Sequence, residues 1–150
     1  MRMATLSRFL NLDLVLKSAS DLGALVSDMD RSVFVLHHEE HDRQYLLVLE
    51  ISDENCKGPA SCTEQFLTVI EALSEAAREL WNSCASRTFS YGFEGGRDFP
   101  ALDTTLTADL LLRMARLGVD IGITVYPYRA DDTATDARGS RRNGERNALS

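Results

Sequence analysis

Residues 106–127 read LTADLLLRMARLGVDIGITVYP, and this stretch decides the fold class. Thr107 stands where a helix N-cap belongs, with Leu106 before it and Leu111 placed to close a hydrophobic staple. Asp109 falls in the first turn, where a carboxylate complements the positive end of the helix dipole, and Arg113 and Arg116 fall late, where cations are favoured. Leu110, Leu111, Met114 and Leu117 recur at spacings of three and four and so share one face. Gly118 supplies the left-handed residue that stops a helix. The period then changes to two. Val119, Ile121, Ile123 and Val125 point one way; Asp120, Gly122, Thr124 and Tyr126 point the other. Pro127 ends the strand because it lacks a donor. The stretch predicts a capped helix followed by a buried strand.

Working outward, the same two periods recur. Leu10, Leu12, Leu14 and Leu16 alternate with Asn11, Asp13 and Lys17, a strand with one buried face. Ser20 or Asp21 is placed to cap a short helix with the stripe Leu22, Leu25, Val26 and Met29. Val33–Leu36 and Tyr45–Ile51 read as strands. His37–Arg43 between them is polar enough to be a connection, giving an antiparallel hairpin whose turn type no Asn-Gly or Asp-Gly fixes. Residues 53–62 are a loop by composition. Thr63 opens a long helical stripe through Cys84, with a break expected near Ser74. Arg87–Phe93 is a further strand, with Phe89, Tyr91 and Phe93 on one side. The order is β-α-β-β-α-β-α-β. This is an α+β domain over residues 1–129: a ferredoxin-like, split βαβ sheet extended by a C-terminal helix–strand unit, with helices on one face. Residues 130–150 lack apolar periodicity and read as a disordered polar tail; its basic run at 138–146 has no interleaved aromatics.

The chain has 150 residues and a formal charge of -7. An acidic domain disfavours nucleic acid, since phosphate contacts require cations. No run of about 20 apolar residues exists to span a membrane. Asn11, Asp13 and Lys17 interrupt any apolar leader core, so a cytoplasmic location is expected. The three cysteines are odd in number. Cys56 and Cys62 lack a CxxC spacing, and reduced thiols are the leading expectation, with a Cys56–Cys62 disulfide as the alternative.

The C-terminal segments YGFEGG (91–96), LTADLLLRMARLG (106–118) and DIGITVYP (120–127) resemble a bacterial family of single-domain α+β proteins of unknown function. The resemblance implies the sandwich and its final helix–strand unit. It brings no catalytic residues. In size and charge the chain is also similar to immunity proteins that neutralise bacterial toxins, an analogy of class without a shared motif.

Few residue patterns point to chemistry. HHEEHD at 37–42 begins like a zinc-protease motif, but position 42 is Asp where a second His is needed. His37, His38 and His41 keep a metal-dependent enzyme open as a reading, against the simpler one of a solvated turn. No G-x-S-x-G elbow accompanies Ser32, Ser61, Cys62 or Cys84. Gly92, Gly95 and Gly96 make no phosphate loop. No catalytic residue, metal or cofactor is assigned. The carboxylates are unevenly placed, seven within residues 37–64 against Arg43 and Lys57. That clustering predicts a non-enzymatic domain that binds a basic protein partner, a toxin in its most concrete form. Glu39, Glu40, Asp42, Asp53 and Glu54 are its contact residues. The alternative is a small-ligand or regulatory domain with a pocket near Phe89, Tyr91 and Phe93. Oligomeric state is not readable from these patterns.

Overall fold

The computed structural model describes residues 3–129, so the tail expected from 130–150 lies outside the described residues. Five strands form one mixed sheet: β1 (Arg8–Ser18), β2 (Val33–His41), β3 (Gln44–Ile51), β4 (Ser86–Glu94) and β5 (Asp120–Tyr126). Four α-helices join them: α1 (Gly23–Met29), α2 (Pro59–Glu71), α3 (Glu75–Ser83) and α4 (Ala108–Arg116). A short 3-10 turn, Asp30–Ser32, follows α1. The strand order is β2-β3-β1-β4-β5. All neighbours are antiparallel except β4 and β5, which run parallel. The parallel pair follows from the connection, because a strand–helix–strand crossover returns the chain in its starting direction.

The alternation in β1 does what its period predicts. Leu12, Leu14 and Leu16 are buried, and Leu14 stands between Leu49 of β3 and Phe89 of β4. These side chains form one cluster with Leu25 and Met29, with Phe66, Leu67 and Ile70, with Ala77 and Trp81, and with Leu110 and Met114. Phe66 packs on Phe89 with ring centroids 5.4 Å apart. Trp81 is fully buried and its Nε1 donates to the Leu117 carbonyl at 3.0 Å. The Arg87 guanidinium donates to the carbonyls of Trp81, Cys84 and Gly118, so the α3–β4 and α4–β5 junctions are tied at one point.

The helix–strand unit is capped as its sequence predicts. Thr107 Oγ1 accepts from Leu110 N, and Gly118 has φ +68. A Cβ there would also stand 2.8 Å from Arg87 Nη2, so glycine is needed twice over. The break between α2 and α3 falls at residues 72–74, and Ser74 Oγ accepts from Ala77 N.

Five expectations are corrected. Helix α2 starts at Pro59, not at Thr63, because Gly58 takes an extended N-cap conformation and proline suits the first helical turn. Thr63 lies buried inside α2, where its Oγ1 donates to the Pro59 carbonyl and accepts from the Tyr91 hydroxyl, both at 2.6 Å. Neither Ser20 nor Asp21 caps α1. Leu22 is its N-cap residue, and Asp21 Oδ1 instead accepts from Gly23 N. The segment His37–His41 is strand rather than connection, since β2 continues to His41. β5 is an edge strand, and Ile121, Ile123 and Val125 are exposed rather than buried. Finally, Cys56 and Cys62 are disulfide-bonded. The early start of α2 brings the Cα atoms to 4.8 Å, inside the range a disulfide spans. Cys84 remains a free, buried thiol, and burial raises its pKa.

Candidate functional site

The predicted contact acids lie along the β2 edge. β2 and β3 pair from Val33 opposite Ile51 to His41 opposite Gln44. Asp42 and Arg43 alone make the turn, with φ of 49 and 63. Two successive left-handed residues match the twist of a two-residue hairpin, which is why no longer connection is needed. A register shift between Val35 and His37 marks a bulge at Leu36.

Glu39 stands opposite Leu46, Glu40 opposite Tyr45, and Asp42 is in the turn. The Glu40 carboxylate lies near enough to Tyr45 to push the phenol pKa up. Asp53 and Glu54 follow β3 at its far end. There Ser52 N bonds the Ser32 carbonyl, and Asp53 Oδ1 accepts from Asn55 N at 2.8 Å. The five acids are therefore not one cluster. Glu39, Glu40 and Asp42 sit at one end of β2 and Asp53 and Glu54 at the other, about 26 Å apart by strand rise. Between the two groups lie Phe34, Val35 and Leu36. Phe34 is 59% exposed, and the other two are also exposed. Sequence reasoning read VFVL as strand without placing it at an edge; the polar HHEEH directly after it was the available sign of one.

A cleft of about 370 Å³ opens beside Asp53, walled by Ile51 of β3 and by Gln65 and Val69 of α2, with Arg31 on the facing rim. The three histidines do not converge. His37 Nδ1 faces Glu39 Oε1 at 3.4 Å, His38 Nε2 faces Asp21 Oδ1 at 3.8 Å, and His41 Nε2 faces Asp42 Oδ2 at 3.3 Å. Among the described residues, no group of three or more His, Cys, Asp or Glu is placed to hold a metal ion. On the same face of the sheet as His37, Asp13 of β1 is half-buried beside Glu50, and its Oδ1 has no hydrogen-bond partner among the described residues. Burial chiefly, and then Glu50, raise the Asp13 pKa, while His37 opposes them.

The expected aromatic pocket divides. Phe89 and Tyr91 are sealed in the core, and burial raises the Tyr91 pKa. Phe93 reaches a separate cleft of about 730 Å³, where it meets Phe9 edge-on with centroids 5.6 Å apart. Lys57, Pro59, Leu102 and Thr104 complete much of its wall. The Cys56–Cys62 bond closes the loop that carries Lys57 and Pro59.

No helix among the described residues is long and apolar enough to cross a membrane. No family model matches the chain, and neither a curated protein nor a solved structure matches it.

Proposed function

We propose that this chain is a non-enzymatic protein-binding domain that presents the β2 edge to a basic protein, in its most concrete form an immunity-type protein against a basic toxin. The observation that carries this is the arrangement of β2: an exposed apolar segment, Phe34–Leu36, bracketed at both ends by acids. Protein interfaces follow the same plan, with an apolar centre that supplies most of the affinity and a charged rim that sets partner and on-rate. The cleft beside Asp53, lined by Ile51 and Val69 and carrying both Asp53 and Arg31, offers a polar side chain of the partner a place to dock at this end of β2. The acids Glu39, Glu40, Asp42, Asp53 and Glu54 would steer the encounter. The scaffold reading is a split βαβ plan, supported by the antiparallel order of the first four strands, with helices on one face and α4–β5 added. A cytoplasmic setting requires Cys56 and Cys62 to be reduced there, and alkylation of the thiols in freshly lysed host cells tests it.

The test is parallel capture from the native host with wild-type protein and with a variant combining Phe34→Glu, Glu39→Lys and Glu40→Lys. The expected result is a basic protein retained by wild-type, released by raised salt, and held at least about tenfold more weakly by the variant. Identical retention by both would sink the β2 surface. A second reading, a small-ligand or regulatory domain, draws on the cleft at Phe9 and Phe93, whose volume falls within the range of ligand pockets. A melting-temperature rise with a metabolite, abolished by Phe93→Ala, would favour it.

A further inference from the structure

We infer that β5 is a self-association edge: two copies of the chain join β5 to β5 about a two-fold axis through Ile123, continuing the sheet across both. This goes beyond the β2 reading and is independent of it, because the two strands bound the sheet on opposite sides.

The backbone sets the geometry. Among the described residues, β5 is bonded on one side only, to β4. Gly95 N donates to the Tyr126 carbonyl at 2.8 Å, so the Tyr126 carbonyl points back toward β4. Alternate residues of a strand direct their amide groups the same way. Asp120, Gly122 and Thr124 therefore also bond inward, and the N–H and C=O groups of Ile121, Ile123 and Val125 point outward. The same three residues carry the exposed apolar face. Ile121, Ile123 and Val125 align with Phe89, Tyr91 and Phe93 of β4 but are 43%, 68% and 64% exposed. α4 does not cover them. Its Arg113 reaches toward α2, bonding Glu64 and Glu71. Leu111, two residues earlier and about 200° around the helix, lies on the flank away from α2 and is exposed.

Charge selects the occupant. Edges that must stay unpaired are usually blunted by charge, proline or a bulge. β2 has acids and a bulge; β5 has a single acid, Asp120 at its first position, and no proline or bulge. In a chain of charge -7, an apolar edge with one acid and an unbroken register fits another surface of the same kind. Antiparallel pairing about Ile123 sets Ile121 opposite Val125 of the second copy and Ile123 opposite its own equivalent. Gly122 then faces Thr124, and Asp120 faces the Tyr126 hydroxyl, which can donate to it. No like charges meet. The outward-facing amides fall at the hydrogen-bonded pairs of this register, which gives about six new backbone bonds.

Sedimentation velocity on the full chain over a concentration series tests this. The expected result is a monomer–dimer equilibrium, lost in Ile123→Lys, which sets two like charges on the axis, and in Ile123→Pro, which removes an outward N–H and leaves the inward-facing amides in place. Far-UV circular dichroism checks that both variants fold. Phe34→Glu on the opposite edge should leave the dimer intact. Hydrogen exchange on wild-type protein supplies a readout free of mutation: the amides of Ile121, Ile123 and Val125 should exchange roughly tenfold more slowly at high than at low protein concentration. A wild-type chain that stays monomeric, a dimer that survives Ile123→Lys in folded protein, or concentration-independent exchange at those amides would each overturn the proposal.

Discussion

The two edges of this sheet solve one problem in different ways. Among the described residues, both end in a strand with a single neighbour and a row of backbone groups that no other strand bonds. β2 is guarded: its outer half is HHEEH, Leu36 forms a bulge, and its hairpin is closed by a two-residue turn. β5 is unguarded: Ile121, Ile123 and Val125 line it, and its backbone runs straight alongside β4. β2 lies in an antiparallel hairpin, where polar residues on an outer strand are ordinary. β5 is the parallel partner of β4, and parallel strands are normally covered on both faces. An uncovered parallel edge is the more unusual feature, and it lies at the end of the sheet opposite the acids of β2.

The largest effect that probes this contrast comes from the middle of the sheet. Leu14→Ala removes a fully buried side chain seated between Leu49 and Phe89, and should cost about 3–5 kcal/mol. Hydrogen exchange in the variant should speed up in β2 and β5 together, since both hang from β1 through one neighbour each. Loss of protection at one edge alone would mean that the edges are stabilised separately. A smaller change should act on one edge only. Arg43 holds φ at 63, a conformation glycine adopts without a Cβ penalty. Arg43→Gly should therefore raise stability by roughly 0.5–1 kcal/mol in chemical denaturation. Exchange should slow in β2 and stay unchanged in β5; an equal slowing in both would break the distinction.

The parts of this molecule legible in its sequence are those fixed by neighbours along the chain. The Thr107 cap, the Gly118 stop, the alternation of Leu12, Leu14 and Leu16 and the interruption before Ser74 all depend on a few consecutive residues. What depends on position in the sheet was not legible. The Ile-Gly-Ile-Thr-Val pattern of β5 has the same period whether or not something covers it, and only the strand order makes it an edge. HHEEH reads as loop by composition, yet an outer strand tolerates that composition because water takes the side chains. The acids that cluster in sequence between residues 37 and 64 are split by the hairpin, which carries one group to each end of β2. The start of α2 did carry a local signal, Gly58-Pro59, outweighed in the sequence reading by the cap-like Thr63.

The half-buried Asp13 carboxyl gives this domain a proton ledger. Its folded pKa is raised above the value near 3.8 that an exposed aspartate keeps, chiefly by burial. The fold thus binds a proton more tightly than the unfolded chain does at this site. Folding takes up a proton in the window that opens near 3.8 and closes above the raised value, and the stability it contributes is present below that window and lost as pH rises through it. Removing the charge while keeping the shape should reverse that loss. Asp13→Asn should stabilise the protein at neutral pH by roughly 0.5 kcal/mol, a small figure because the group is only partly shielded from solvent. Melting curves of the two proteins should converge below pH 4. A gap that persists there would assign the effect to packing, and a gap of opposite sign at neutral pH would mean that ionised Asp13 is held by a favourable contact.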